Sequence, residues 1–221
     1  MILRKKRPLT PEIIQKIGLS LKLSQSSLNQ YLRALNKNEF SAESKNKKIK
    51  QINQLTIDVF NVVSDWYHDA ILELSRTKGF TGTPSYISKR LGITPAEAQA
   101  AIERLERVEL IEILPDGRFK ELVGDSTTTI DINYTNAALR SLQKQVLALS
   151  LKSLENVPKT ERDHTCVTLA INKKDLPEAK ERMKTFRHEF MTYMQRDAST
   201  YDEVYQLAVS FYPLTKTLGE R

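Results

Sequence analysis

Between Val59 and Leu74 apolar side chains return every three or four residues: Val59, Val62, Val63, Trp66, Ala70, Ile71 and Leu74. That spacing predicts one helix over about 56–77 with a broad buried face. Lys78-Gly79 supplies its stop. The next segment reads as two short helices around a tight turn. Ile87 and Leu91 lie one turn apart, Gly92 permits a positive φ, and Ile93 points to the core. Thr94 then caps a second helix, Pro95 takes its first position, and Glu97 completes a capping box. Ala98, Ile102 and Leu105 form its inner stripe. Leu110–Leu114 and Arg118–Leu122 read as two strands joined by Pro115-Asp116-Gly117. Helix, helix-turn-helix and hairpin in this order predict a winged helix.

Upstream, Thr10-Pro11 starts a short helix with Ile13, Ile14, Ile17 and Leu21 at helical spacing. Leu28, Leu32 and Leu35 suggest a second, and residues 36–50 are polar enough for a linker. Downstream, Leu139, Leu142, Val146 and Leu149 place a helix at about 134–155. Val167, Leu169 and Ile171 alternate along a strand at 163–171. Asp175 caps a helix to about Arg196, on which Leu176, Ala179, Met183, Phe186, Phe190 and Tyr193 keep a heptad-like seam. Tyr205, Leu207, Val209 and Phe211 share one face of a last strand at 203–212.

The fold class is therefore α+β: a helical basic segment, a winged helix, and a small α-β-α-β layer. The domains are 1–50 (basic arm and linker), 51–125 (winged helix) and 126–221 (dimerisation or sensor domain). Two strands seldom make a stable sheet alone, so the last domain needs a second copy or the winged helix to cover it. Leu142, Val146, Leu149, Met183, Phe186 and Phe190 are the expected dimer interface.

Charge changes the picture. Residues 1–56 hold twelve Lys/Arg and three acids, whereas the remainder holds 22 and 24. A basic arm containing Arg4, Lys5, Lys6 and Arg7 attracts phosphate backbones; the plain alternative is a solvated linker. Cys166 is the single cysteine, which excludes an intrachain disulfide and a cysteine-based zinc site. No apolar run reaches the roughly 20 residues of a membrane span, and no secretory leader is evident. These features point to the cytoplasm.

Trp66–Leu74, the 83–122 segment, Val167–Ile171 and Tyr205–Thr215 together resemble an uncharacterised bacterial family. Its members are described as transcriptional regulators with a domain of unknown function, and the resemblance covers roughly residues 56–216. Longer members begin with a phage-repressor-like helix-turn-helix; Arg7–Gly18 is similar to the end of that module. The resemblance thus implies a chain lacking the N-terminal reader, with no assigned catalytic residue or ligand.

If the winged helix reads double-stranded DNA, its second helix enters the major groove. Thr94, Glu97, Gln99, Ala100, Glu103 and Arg104 are then base-facing; Gln99 suits adenine and Arg104 suits guanine. Ser85, Tyr86, Lys89 and Arg90 would hold phosphates, as would Arg118 and Lys120 on the wing. The second helix is acidic, however: Glu97, Glu103, Glu106 and Glu109 outnumber Arg104 and Arg107, and acids repel phosphate. That favours a second reading, a protein-interaction module that no longer reads DNA. A third is a small-molecule sensor with a pocket lined by Tyr134, Tyr193, Tyr201 or Tyr212.

Catalysis finds little support. His164 and Cys166, two apart on a strand, sit about 6.5–7 Å apart along the chain, too far for a ready nucleophilic pair. His68 and His188 lie elsewhere, leaving no histidine cluster for a metal, and no glycine pattern cradles phosphate. The expectation is a non-enzymatic, homodimeric regulator without cofactor or metal.

Overall fold

A computed structural model describes residues 54–116, 118–122, 136–196 and 201–216. The expected N-terminal helices and linker lie outside these residues. The chain divides into two units, Met1–Val146 and Leu147–Arg221.

In the first unit the long expected helix is broken in two. Helix α1 spans 54–64 and α2 spans Tyr67–Ser75. At Asp65–Trp66 the helical ladder is interrupted, and His68 N–H donates to the Asp65 carbonyl instead. The side-chain amide of Gln145 takes up the groups this leaves over. Its Nε2 donates to the Ser64 carbonyl at 2.8 Å, and its Oε1 accepts from Trp66 N–H at 3.5 Å. Buried backbone groups must find partners, so a break can persist where one side chain supplies both a donor and an acceptor.

Helix α3 (Pro84–Leu91) and α4 (Pro95–Arg107) follow; Thr94 caps α4 as the sequence predicts, and Thr83 caps α3 as well. Thr83 Oγ1 accepts from Tyr86 N–H at 3.2 Å. Gly92 turns the chain at φ 69°, a left-handed conformation open to glycine at little cost. Ser88 Oγ donates to the Ile93 carbonyl at 2.7 Å and pins the turn. The Thr94–Glu97 capping box is complete. Helix α4 ends in a paired carbonyl lock: Leu110 N–H donates to Leu105 O and Glu109 N–H to Glu106 O. This closure needs a left-handed residue, and Glu109 fills the place at φ 60°.

The hairpin is short. Strands β1 (Ile111–Ile113) and β2 (Phe119–Glu121) are antiparallel, with Ile111 opposite Glu121 and Ile113 opposite Phe119. Arg76, at the end of α2, grips Glu121 through three hydrogen bonds of 2.8–3.0 Å and so fixes the returning strand. The core gathers Val59, Ile71, Leu74, Ile87, Ala98, Ile102, Leu105 and Ile111, all buried. Small Ala98 and Ala101, both fully buried, let α3 and α4 approach closely.

Helix α5 (Asn136–Asn156) passes from the first unit into the second, where α6 (Leu176–Met194) lies. Both helices fall where apolar periodicity puts them. The strands expected at 163–171 and 203–212 differ: the structure forms neither. Extended chain becomes strand only when another strand takes its backbone groups, and among the described residues none does. The described residues thus form a helix-rich chain with one small antiparallel sheet, compatible with α+β, but without the expected C-terminal α-β-α-β layer.

Candidate nucleic-acid interface

Three elements carry the candidate contacts. On α3, Ser85, Lys89 and Arg90 are exposed and Tyr86 is half-buried. Basic residues suit this place because they fall in the last turn, where the helix dipole is negative. The Arg90 guanidinium sits 5.9 Å from the Tyr86 ring centroid. Phe80 meets Tyr86 edge-on at 5.8 Å and Phe119 at 5.2 Å. This aromatic bridge, which local patterning does not announce, ties α3 to the hairpin.

The hairpin's two cations are exposed, and each has an acidic neighbour. Arg118 Nε donates to Asp116 Oδ2 at 2.7 Å, and Lys120 Nζ lies 3.7 Å from Glu112. The Arg118 guanidinium, followed by its backbone N–H, holds Asp116 below the usual carboxylate range. Exposed pairs of this kind are worth little.

Helix α4 departs from expectation. Thr94 and Glu97 are exposed but committed to the cap, whose Thr94 N–H and hydroxyl hold Glu97 below the carboxylate range. Gln99 Nε2 donates along the helix to Glu103 at 2.7 Å. Arg104, expected to face bases, turns inward. Its Nη1 meets His68 Nε2 at 3.0 Å, and its Nε lies 3.6 Å from buried Asp58. Arg107 joins it, donating to Asp58 from Nε at 2.8 Å and from Nη2 at 3.1 Å. The physical reason is Asp58, only 1% exposed. A buried carboxylate must be paired, and the two arginines of α4 do it. Glu97, Glu103 and Glu106 remain on the exposed side of the helix.

His68 is fully buried, and desolvation lowers its pKa from 6.5 to about 4. It is neutral near pH 7. A guanidinium only donates, so Nε2 accepts and Nδ1–H donates to the Asp65 carbonyl at 3.1 Å. Burial, then the Glu73 carboxylate, raises the neighbouring Asp69 from 3.8 to about 7.

The remaining candidates are spread out. Arg4, Lys5, Lys6, Arg7 and Tyr134 lie outside the described residues. Of the expected interface, Leu142, Val146, Leu149 and Met183 are half-buried, while Phe186 and Phe190 are exposed and 6.0 Å apart. Tyr193 and Tyr212 are also exposed; the Tyr201 hydroxyl donates to the Gln195 carbonyl. His164 does not engage Cys166 but meets Ser153 Oγ at 2.8 Å. That hydroxyl already donates to the Ser150 carbonyl at 2.7 Å, so His164 serves as donor, not as base. Among the described residues no three His, Cys, Asp or Glu side chains gather as a metal would require, and no helix is long and apolar enough to cross a membrane.

Sequence comparison defines the class as an uncharacterised domain family. The chain belongs to DUF4423, a domain of unknown function, whose sequence model matches residues 45–214. No curated protein and no solved structure matches it.

Proposed function

We propose that the chain is a DNA-binding regulator acting as a dimer, in which residues 54–122 form a winged helix. One observation carries this reading. The Phe80 bridge joins α3, with exposed Lys89 and Arg90, to a hairpin carrying exposed Arg118 and Lys120. Two linked cationic elements suit adjacent phosphates. The helix and wing hold the backbone, and α4, with its acidic outer side, contributes little base reading. The basic residues of 1–56 add non-specific affinity. Fluorescence anisotropy on genomic duplex fragments at moderate salt tests this. Binding is expected, and Lys89→Glu/Arg90→Glu weakens it at least tenfold. Equal affinity of the double variant overturns the reading.

A second reading is favoured by the inward turn of Arg104 and by the pairing of Arg107, still 44% exposed, with Asp58. Together they leave α4 with an acidic exposed side, which suits a basic protein partner better than DNA. On that reading, Glu103→Lys/Glu106→Lys disrupts partner capture and leaves anisotropy on DNA unchanged.

A further inference from the structure

Among its described residues the second unit has no interior. No described residue from 147 to 216 is buried. Sixteen of its large apolar side chains are exposed, from Leu207 at 41% to Val167 at 79%. A chain segment gains stability by removing such surface from water, and one that removes little cannot offset the entropy of ordering. The ordered form therefore includes a covering surface.

Two segments show what kind. Residues 165–171 and 204–212 alternate apolar with small or polar side chains, and β-branched and aromatic types dominate. Both have strand-like composition, yet no described backbone hydrogen bond outside the helices falls within either. What is missing is a ladder partner as well as an apolar cover.

We infer that 165–171 and 204–212 become strands only by pairing with the same segments of a second copy, so that two C-terminal units build one intersubunit sheet and a shared core. The dimeric part of the reading above is deepened by this; DNA binding is not needed for it. Three observations select a second copy. First, the described residues of the first unit expose only three large apolar side chains, Ile57, Ile113 and Leu122, too few to cover sixteen. Second, residues 147–221 carry twelve basic and eleven acidic side chains, so two units meet without net repulsion. Third, the area fits. Six of the sixteen are aromatic, each worth about 150–250 Å² when fully buried. With the aliphatic residues, the exposed part reaches or exceeds the roughly 800 Å² per partner of a stable interface. A two-fold interface is self-complementary, and an obligate partner made with every chain is the chain itself.

The test pairs sedimentation equilibrium with amide hydrogen exchange on the full chain. The expected mass is twice 25.3 kDa, with amides of 165–171 and 204–212 protected. Thr168→Pro, which deletes one ladder donor, weakens the dimer at least tenfold relative to Thr168→Ala. Where Thr168→Pro abolishes folding of the unit, exchange in the unsubstituted chain decides. A single-chain mass, a two-chain mass with both segments unprotected, or assembly only with a different protein overturns the inference. Failure of DNA binding leaves these readouts unchanged, which separates the two proposals.

Discussion

Arg107 on α4 and Asp58 on α1 share a two-point contact, Nε to Oδ2 at 2.8 Å and Nη2 to Oδ1 at 3.1 Å. Gln54 Nε2 adds a third donor to the carboxylate at 3.1 Å, and Arg104 approaches it from the interior. One buried acid thereby decides the direction of both arginines of α4. Removing it strands Arg104 with His68 as its named neighbour. Asp58→Ala is expected to cost about 1–3 kcal/mol, because Arg107 is 44% exposed and solvent takes up part of its lost pairing. Urea denaturation measures it; a loss under about 1 kcal/mol would show that the carboxylate is not the organising group.

His68 and Asp69 give opposite acid responses. Unfolded His68 takes a proton near pH 6.5, whereas the folded residue waits until about pH 4. Its contribution is complete above 6.5 and lost as pH falls toward 4, by about 3 kcal/mol. Folded Asp69 keeps its proton to about pH 7 and the unfolded residue only to 3.8. Its contribution is present at low pH and lost as pH rises toward 7. Over pH 4–6.5 the two offset each other. Relative to the unsubstituted chain, Asp69→Asn should make stability fall as pH drops through this window, and His68→Gln should make it fall as pH rises. Denaturation midpoints across the window check both signs.

Much of α3 and α4 was legible because its signals are local. Thr94, Pro95 and Glu97 announce a helix start within four residues, and Gly92 announces the turn before it. The break at Asp65–Trp66 was not legible, because its backbone groups are satisfied by Gln145, about 80 residues downstream. Arg104 looked like a base reader because an arginine on a second helix fits guanine. Only the fold brings Asp58 and His68 to it. Residues 165–171 and 204–212 read as strands by composition, and among the described residues nothing gives them a ladder.

Gln145→Ala should therefore destabilise the first unit by about 1–3 kcal/mol, since it leaves the Ser64 carbonyl and Trp66 N–H without their partner. Gln145→Glu sets a carboxylate oxygen against the Ser64 carbonyl and the Asp65 carboxylate, and should destabilise at least as much. Thermal unfolding ranks the three; no difference among them would mean that water serves the break equally well.

Glu109 holds a left-handed conformation at φ 60°, which glycine adopts with little strain. Glu109→Gly should stabilise the chain by up to about 1 kcal/mol, the relieved left-handed strain outweighing the added freedom of the unfolded chain. The same measurement tests whether the lock at Leu105–Leu110 closes α4 as described: a net loss would place some other contact of Glu109 above the backbone term.

The most direct measurement of the proposed function is the salt dependence of DNA affinity. For duplex DNA, log K falls against log salt with a slope near −0.9 per neutralised phosphate. With Lys89 and Arg90 each on a phosphate, Lys89→Glu/Arg90→Glu should reduce the steepness by about 2, while Gln99→Ala leaves it unchanged. An unaltered slope in the double variant, or no binding at any salt concentration, would contradict a winged helix that grips DNA through α3.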